Sequence, residues 1–170
     1  MKNFDKTICL TGHRPKGLPW GYNEENEKCK KFLQDLTIVL RNQIENGYTY
    51  FLTGMAEGFD MLATELLIAL RKEYKKIKVI AIIPCLNQEN RWSPNQQKRY
   101  HNILRQCNSS KVLSKTYTKD CMNIRNKFMV EHSELVIACY NGTPSGTGNT
   151  IKFARQMDKK IIIINPDNYA

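Results

Sequence analysis

Short apolar runs alternate along this chain with stretches in which apolar residues recur at helical spacing. Six runs read as strands, most of them rich in β-branched residues, and they cover residues 7–11, 48–53, 79–83, 111–113, 135–140 and 161–164. Most of the runs are continuous rather than alternately apolar and polar, which is typical of strands buried on both faces of a parallel sheet. The pattern therefore predicts a mainly parallel sheet of five to six strands.

Helical periodicity fills the segments between these strands. The longest helix is predicted from residue 23 or 24 to residue 46, with Phe32, Leu36 and Leu40 on its apolar face. Further helices are predicted at 59–74, 100–106, 120–132 and 149–157, and a loop is predicted at 86–98. Strands that alternate with helices predict a doubly wound, Rossmann-like α/β fold with helices on both faces of the sheet. The length of 170 residues predicts a single domain over 1–170.

The composition is that of a globular protein, with 41% hydrophobic and 25% charged residues. Lysine and arginine outnumber aspartate and glutamate by 26 to 16, and the resulting net charge of +10 favours phosphate-bearing or polyanionic partners. Six cysteines lie far apart, without the spacing of a zinc site or a disulfide framework. No run has the length of a signal peptide or a membrane span. We therefore expect a reduced, cytoplasmic protein without a metal site, a cofactor or a membrane partner.

Glycines, hydroxyl residues and charged residues cluster where the predicted strands end. Since the carboxyl ends of parallel strands meet at one edge of a sheet, and ligands bind there at a topological switch point, these residues predict one shared crevice. The candidate ligand-binding residues follow the strands or lie on the helix before the fifth strand; they are Gly12, His13, Arg14, Thr53, Gly54, Met55, Ala56, Gly58, Asp60, Pro84, Arg125, Asn126, Tyr140, Asn141, Gly146, Thr147, Gly148 and Thr150.

The residue types in this crevice suit a phosphate group. Gly54 and Gly58 would let the backbone approach a phosphate in front of the second helix. The stretch 146–150 offers backbone N–H groups and hydroxyl groups as donors. Arg14 and Arg125 offer bidentate contacts to the same group, or else surface salt bridges.

Three further candidates each allow two interpretations. Asp60 either caps the second helix or accepts a hydrogen bond from a ribose hydroxyl. His13 either titrates near neutrality or is structural. Tyr140 either stacks on a base or packs in the protein.

The sequence shows no evident catalytic nucleophile. It contains no G-x-S-x-G, no P-loop lysine and no G-x-G-x-x-G motif. If the protein is an enzyme, the candidate catalytic groups are the acidic residues predicted near the crevice, which are Glu57, Asp60 and Glu65.

Three ordered motifs resemble the YpsA-like branch of the SLOG superfamily, and together they span almost the whole chain. They are Thr11-Gly12-His13-Arg14-Pro15; Thr53-Gly54-Met55-Ala56-Glu57-Gly58-Phe59-Asp60; and Arg125-Asn126 with Met129, Tyr140-Asn141-Gly142, Gly146-Thr147 and Asn149-Thr150-Ile151. The resemblance implies a Rossmann-like fold and a nucleotide-type ligand in the crevice. Because relatives in this superfamily often self-associate, it also implies a homo-oligomer.

The superfamily includes the Lonely Guy phosphoribohydrolases and DNA-processing protein A, and these relatives suggest the alternatives for function. In the Lonely Guy enzymes, glutamates that attend the glycosidic bond follow the glycine-rich loop, whereas residues 145–152 of this chain contain no carboxylate. We therefore expect a protein that senses or sequesters a nucleotide-derived signal, such as an ADP-ribose-like or cyclic nucleotide. The alternatives are a nucleotide N-glycosidase and a protein that binds single-stranded nucleic acid.

Overall fold

The computed structural model describes residues 6–170 and contains six strands and five α-helices in strict alternation. The strands are β1 (Thr7–Gly12), β2 (Tyr50–Thr53), β3 (Lys78–Ile83), β4 (Ser109–Val112), β5 (Leu135–Cys139) and β6 (Lys160–Ile164). The helices are α1 (Glu27–Glu45), α2 (Phe59–Leu70), α3 (Pro94–Gln106), α4 (Cys121–Glu131) and α5 (Gly146–Gln156). Two short 3-10 helices cover Pro15–Gly17 and Pro166–Tyr169.

All neighbouring strands pair in parallel, in the order β4-β3-β2-β1-β5-β6. The predicted Rossmann-like α/β fold is thereby confirmed. The chain moves outward from β1 to β4, crosses back over the sheet, and continues from β5 to β6 on the other side of β1. The strand order therefore reverses between β1 and β5, and the carboxyl ends of these two strands form the topological switch point.

Alternate residues of the central strands face two separate layers of helices. On β1, Ile8 and Leu10 belong to a core that includes residues of α1 and α2, whereas Cys9 belongs to a core with residues of α4 and α5. The first layer continues over β3 into α3 through Tyr100. This division follows from right-handed crossovers, because a chain that moves outward and then back must place its helices on opposite faces.

Several predicted boundaries are wrong, and most of the errors lie at helix caps. Helix α1 begins at Glu27 because Asn26 caps it, accepting from the N–H of Lys28 at 2.9 Å. Helix α2 ends at Leu70 rather than at residue 74. Helix α3 begins at Pro94, within the segment predicted as a loop, because Ser93 is its N-cap and proline suits the first helical turn.

The strands show smaller differences of the same kind. β2 begins at Tyr50 rather than at residue 48, and β4 covers Ser109–Val112 rather than 111–113. Both predicted runs were placed by apolar residues, whereas β4 is an edge strand whose four residues are all exposed. An exposed edge carries little hydrophobic signal.

Helix α5 begins three residues earlier than predicted, and this correction bears on the site. The predicted start was residue 149, but the first helical residue is Gly146, and the Ser145 Oγ caps the helix by accepting from the N–H of Gly148 at 3.1 Å. Gly146 and Thr147 therefore belong to the first helical turn rather than to a loop. In residues 6–170, no helix has the length and apolarity that crossing a bilayer requires.

Candidate functional site

A cavity of about 660 Å³ opens at the switch point between β1 and β5. Its walls come from the end of β1 and the turn that follows, the start of α2, one side of α4, the connection from β5 into α5, and the C-terminal 3-10 helix. Ten of the predicted binding residues line it, namely Gly12, His13, Arg14, Ala56, Asp60, Arg125, Asn126, Asn141, Gly146 and Thr147.

The N-terminus of α5 forms one wall of the cavity. Ser145 uses its hydroxyl to cap the N–H of Gly148, which leaves the N–H groups of Gly146 and Thr147 without an acceptor in the described part of the chain. The Thr147 side chain is buried against the same wall. Free N–H groups at the positive end of a helix dipole are a favourable environment for an anion.

Arg125 is buried in the cavity wall. It is 4% exposed, and no carboxylate of residues 6–170 forms a salt bridge with it. Its Nη1 donates to the carbonyl of Gly54 at 2.6 Å, and its Nε donates to Oδ1 of Asn126 at 2.7 Å. Burial lowers the pKa of this guanidinium from its ordinary value, an effect that the charge of Asp60 opposes.

Arg14, in the turn that follows β1, reaches the same point of the cavity. Nη2 of Arg14 and Nη2 of Arg125 each lie 3.9 Å from the sulfur of Met122, so both guanidinium groups converge on one atom that carries no charge. The exposed Lys16 lines the cavity beside them. The charge of Arg14 disfavours the charged form of Arg125, and neither arginine forms a salt bridge within residues 6–170, although the charge of Asp60 acts on both. An anion bound between them would reduce this repulsion.

Two carboxylates line the cavity as well. Asp60 is 5% exposed on the first turn of α2, and its Oδ2 accepts from the N–H of Ala56 at 3.2 Å. Burial raises the pKa of the Asp60 carboxyl, although the positive charge of Arg125 and the Ala56 hydrogen bond partly offset this. Asp167 of the C-terminal 3-10 helix accepts from Nδ2 of Asn141 at 3.2 Å. The Asp60 carboxylate therefore accepts a hydrogen bond from the N–H of Ala56 rather than from the N–H groups at the start of α2.

His13 joins three elements around the cavity. Its backbone N–H donates to the carbonyl of Cys139 at 3.1 Å, and its carbonyl accepts from the N–H of Phe59 at 3.1 Å. The ring nitrogen Nε2 lies 2.8 Å from Oδ1 and 3.1 Å from the backbone nitrogen of Asn141. The side chain is 4% exposed. These contacts connect β1, β5 and α2, and they give His13 a structural role.

The two glutamates among the candidate acids do not line the cavity. Glu65 faces α3, where its Oε1 pairs with Nε of Arg99 at 2.5 Å. Glu57 is nearly buried, and its Oε2 accepts from the hydroxyl of Tyr22 at 2.9 Å. Asp60 is therefore the one candidate acid of the three whose residue is part of the cavity wall.

The structure also places eight predicted binding residues away from the cavity wall, and they are Thr53, Gly54, Met55, Gly58, Pro84, Tyr140, Gly148 and Thr150. The two glycines predicted to hold phosphate make close packing contacts within the protein. A Cβ on Gly54 would lie 2.2 Å from Nη1 of Arg125, and Gly58 has a φ of 87° with the backbone of His13 and Arg14 against it.

The other six residues are buried or held by local contacts. The hydroxyl of Thr64 donates to the hydroxyl oxygen of Thr53 at 2.9 Å. The hydroxyl of Thr150 donates to the carbonyl of Gly146 at 2.8 Å. Tyr140 lies beside the His13 ring, with 5.5 Å between the ring centroids. Burial and hydrogen bonds within the protein therefore occupy these six residues.

Sequence reasoning missed Lys16, Met122, Asn123, Thr143 and Asp167, which all line the cavity. Lys16 and Thr143 lie within or beside predicted loops, so their position along the chain offered a signal. Met122 lies three residues before Arg125 and so shares its face of α4, whereas Asn123, two residues before Arg125, does not. Asp167 had no such signal, because only the folded chain brings its C-terminal turn to the β5 end.

Among residues 6–170, no group of three or more histidine, cysteine, aspartate or glutamate side chains has an arrangement that could hold a metal ion. The chemistry available at the cavity is therefore that of two guanidinium groups, a lysine, helix N–H donors and two carboxylates.

The parallel sheet and the cavity at its switch point define a Rossmann-like α/β protein, and comparisons agree with this class. Two solved structures of DNA processing protein A superimpose on the fold. The Helicobacter pylori protein, described for its single-stranded DNA binding mode, has a TM-score of 0.62 and 20% identity, over 95% of this chain and 69% of its own. The Streptococcus pneumoniae protein has a TM-score of 0.59 and 19% identity, over 94% of this chain and 51% of its own.

Sequence comparison identifies the family. The YpsA model, described as the YspA SLOG family, matches residues 8–168, and the chain belongs to this family. It is 31% identical to the SPbeta prophage-derived protein YoqJ of Bacillus subtilis, over 78% of this chain and 85% of that protein. It is 27% identical to a UPF0398 protein of Lactiplantibacillus plantarum, over 79% of this chain and 71% of that protein. The resemblance to the SLOG superfamily is confirmed.

Proposed function

We propose that the cavity binds a nucleotide or a nucleotide-derived signalling molecule through its phosphate. The N–H groups of Gly146 and Thr147 would hold the phosphate, with Arg14 and Arg125 neutralising its charge. Asp60 would accept a hydrogen bond from a ribose hydroxyl. The observation that carries the proposal is the convergence of two guanidinium groups, neither of which forms an ion pair within residues 6–170, beside the N-terminus of α5.

The volume and the mixed charge of the cavity support a small organic phosphate rather than a bare polyanion. About 660 Å³ lies within the range of cavities that enclose small ligands. Asp60 and Asp167 would repel the additional phosphates of a polyphosphate, whereas they suit the hydroxyl and amino groups of a nucleoside.

The first test is mass spectrometry of the small molecules that denatured protein releases, followed by calorimetric titration with AMP, ADP-ribose and a cyclic dinucleotide. A ligand present at 100 to 1,000 times its dissociation constant should stabilise the protein by roughly 3–4 kcal/mol in a melting experiment. The proposal fails if no member of this panel binds and no nucleotide is released.

Two variants locate the site. Arg14 is exposed and forms no ion pair in residues 6–170, so Arg14→Ala should fold normally and lose about tenfold or more in nucleotide affinity. Arg91→Ala is the matched control, since Arg91 is also exposed and does not line the cavity. Equal affinity in the two variants would place the ligand elsewhere.

Asp60 supports a second candidate function, cleavage of the N-glycosidic bond of a nucleotide. A buried carboxyl whose pKa is raised can remain protonated and donate a proton to a leaving base. Release of free base from a nucleoside monophosphate, abolished by Asp60→Asn, would support this function. A protein that binds AMP but releases no base, even on long incubation, would contradict it.

A further inference from the structure

The positive charge of this protein is concentrated in a part of the chain that the nucleotide cavity does not use. Residues 90–119 contain seven lysines and arginines and no aspartate or glutamate, within a chain of net charge +10. This stretch covers α3, the edge strand β4 and the connection to α4. Of its seven cations only Arg99 forms an ion pair within the described residues, with Glu24 and Glu65. The other six basic side chains are exposed and form no ion pair with residues 6–170.

The last eleven residues of the stretch form a surface that we call the β4 edge, defined as residues 109–119. It carries Lys111, Lys115 and Lys119 among five serine and threonine residues, and nine of its eleven residues are exposed. Lys111 lies over the Phe128 ring of α4, with its Nζ 5.8 Å from the ring centroid. The surface thus continues onto the exposed face of α4, where Lys127 follows.

An aromatic side chain stands out at the centre of this surface. Tyr117 is 70% exposed, the largest exposed fraction among the large hydrophobic residues of 6–170, and no described residue forms a ring contact or a side-chain hydrogen bond with it. Unpaired bases stack on such rings, and lysine and hydroxyl groups contact the phosphates between them.

We propose that the β4 edge binds single-stranded nucleic acid, with Tyr117 stacking on a base and Lys111, Lys115 and Lys119 contacting phosphates. Edge lysines also discourage pairing between sheets. That role accounts for Lys111 within β4, but it does not account for Lys115, Lys119 and the exposed tyrosine, which lie beyond the strand. The surface is lined by residues other than those of the nucleotide cavity, so the two sites can be tested separately.

The test measures fluorescence anisotropy of a labelled mixed-sequence 20-mer of single-stranded DNA at several salt concentrations. Replacing Lys111, Lys115 and Lys119 together by alanine should weaken binding about tenfold or more at low salt. It should also reduce the slope of log affinity against log salt by about 2, as expected for three lost contacts to a single strand. Tyr117→Phe should retain binding, whereas Tyr117→Ala should lose about fivefold or more with an unchanged slope.

The matched control replaces Lys72, Lys75 and Lys76 by alanine. These three lysines are exposed, form no ion pair in the described chain, and lie between α2 and β3 at the opposite end of the sheet strands. The control removes the same charge, so it should bind the DNA about as well as the unaltered protein.

Three outcomes would overturn the proposal. They are no DNA binding at low salt, equal weakening in both triple variants, and preferential capture of poly-glutamate or of phosphatidylserine vesicles by the same three lysines. Arg14→Ala distinguishes this site from the cavity, because it should reduce AMP binding and leave DNA binding unchanged. A DNA complex that AMP displaces would likewise contradict a separate site.

Discussion

At the scale of single residues, Gly54 determines where the charge of Arg125 lies. The guanidinium rests directly on the Gly54 backbone, donating to its carbonyl at 2.6 Å. The space for a side chain at residue 54 is therefore already filled by the arginine. A glycine that looks like a phosphate-binding residue in the sequence instead positions a cation for the cavity.

Substituting Gly54 by alanine should test this packing. The added Cβ would lie 2.2 Å from Nη1 of Arg125, so either the backbone or the guanidinium must move. We expect Gly54→Ala to lower the free energy of unfolding by about 1–3 kcal/mol, as overpacking does, and to weaken AMP binding. Urea denaturation and calorimetry measure the two effects.

Gly146→Ala is the control for this prediction. Gly146 lines the same cavity, yet no atom of residues 6–170 beyond its own surroundings in the chain lies within 4 Å of the Cβ that alanine would add. Gly146→Ala should therefore have about the same free energy of unfolding as the unaltered protein. If Gly54→Ala were as stable as Gly146→Ala, the packing argument would be wrong.

At the scale of elements, the cap of α5 shapes the site. Ser145 satisfies the N–H of Gly148, which fixes the start of the helix and leaves the N–H groups of Gly146 and Thr147 facing the cavity. Sequence reading placed this start three residues later, because glycine and threonine are weak helix formers and the small residues look like a loop. A serine N-cap outweighs these propensities here.

Removing the cap should affect stability and binding together. Ser145→Ala should cost about 1 kcal/mol of unfolding free energy and weaken AMP binding, since the first turn would fray. Ser93→Ala provides the comparison, because Ser93 caps α3 in the same way, accepting from Gln96 N–H at 3.3 Å, away from the cavity. It should show the same loss of stability in urea with unchanged AMP affinity. A similar loss of affinity in both variants would argue against α5 as the phosphate site.

At the scale of the whole molecule, folding buries two oppositely charged side chains, Asp60 and Arg125, that come from helices on opposite faces of the sheet. Asp60 lies on α2 and Arg125 on α4, and the two helices cover opposite faces. Burial raises the pKa of Asp60 in the folded protein, whereas the unfolded chain leaves it at its ordinary value. The protonated carboxyl therefore contributes stability at low pH that is lost as pH rises through the raised pKa.

Urea unfolding of wild-type protein and Asp60→Asn between pH 4 and pH 7 tests this linkage. The asparagine variant should gain in stability relative to wild type as pH rises, since it mimics the protonated carboxyl at every pH. Glu134→Gln should show the opposite trend, because hydrogen bonds from the Lys6 N–H and then from Lys160 lower the pKa of Glu134. Its stabilising contribution is present above the ordinary pKa and is lost on acidification. Parallel pH profiles for Asp60→Asn and wild type would contradict the assignment.

Self-association also belongs to this scale, and it stays a prediction. The chain has a mass of 19.8 kDa, so sedimentation at micromolar concentration distinguishes a monomer from a dimer directly. A monomer at all concentrations would contradict the homo-oligomer that the family resemblance implies.

Hydrophobic patterning was sufficient for the fold. Strands such as β5, buried at every residue from Leu135 to Cys139, produce continuous apolar runs that are typical of a parallel sheet covered on both faces. The same pattern failed at β4, where every residue is exposed, and at the helix ends, where single capping bonds set the boundary. The candidate site was predicted to lie at the carboxyl ends of the strands because the parallel topology brings those ends together.

The alternation of strands and helices, the family, and the set of loops that meet at one edge of the sheet follow from the sequence, since these depend on local periodicity and motif order. Which of those residues line the cavity depends on how distant segments pack against each other in the folded chain. The tertiary structure placed Gly54 and Gly58 in close packing contacts, directed Glu65 to Arg99, and brought Asp167 to the β5 end. Local pattern determines which face of an element is buried, whereas the packing of distant segments determines which neighbour covers that face.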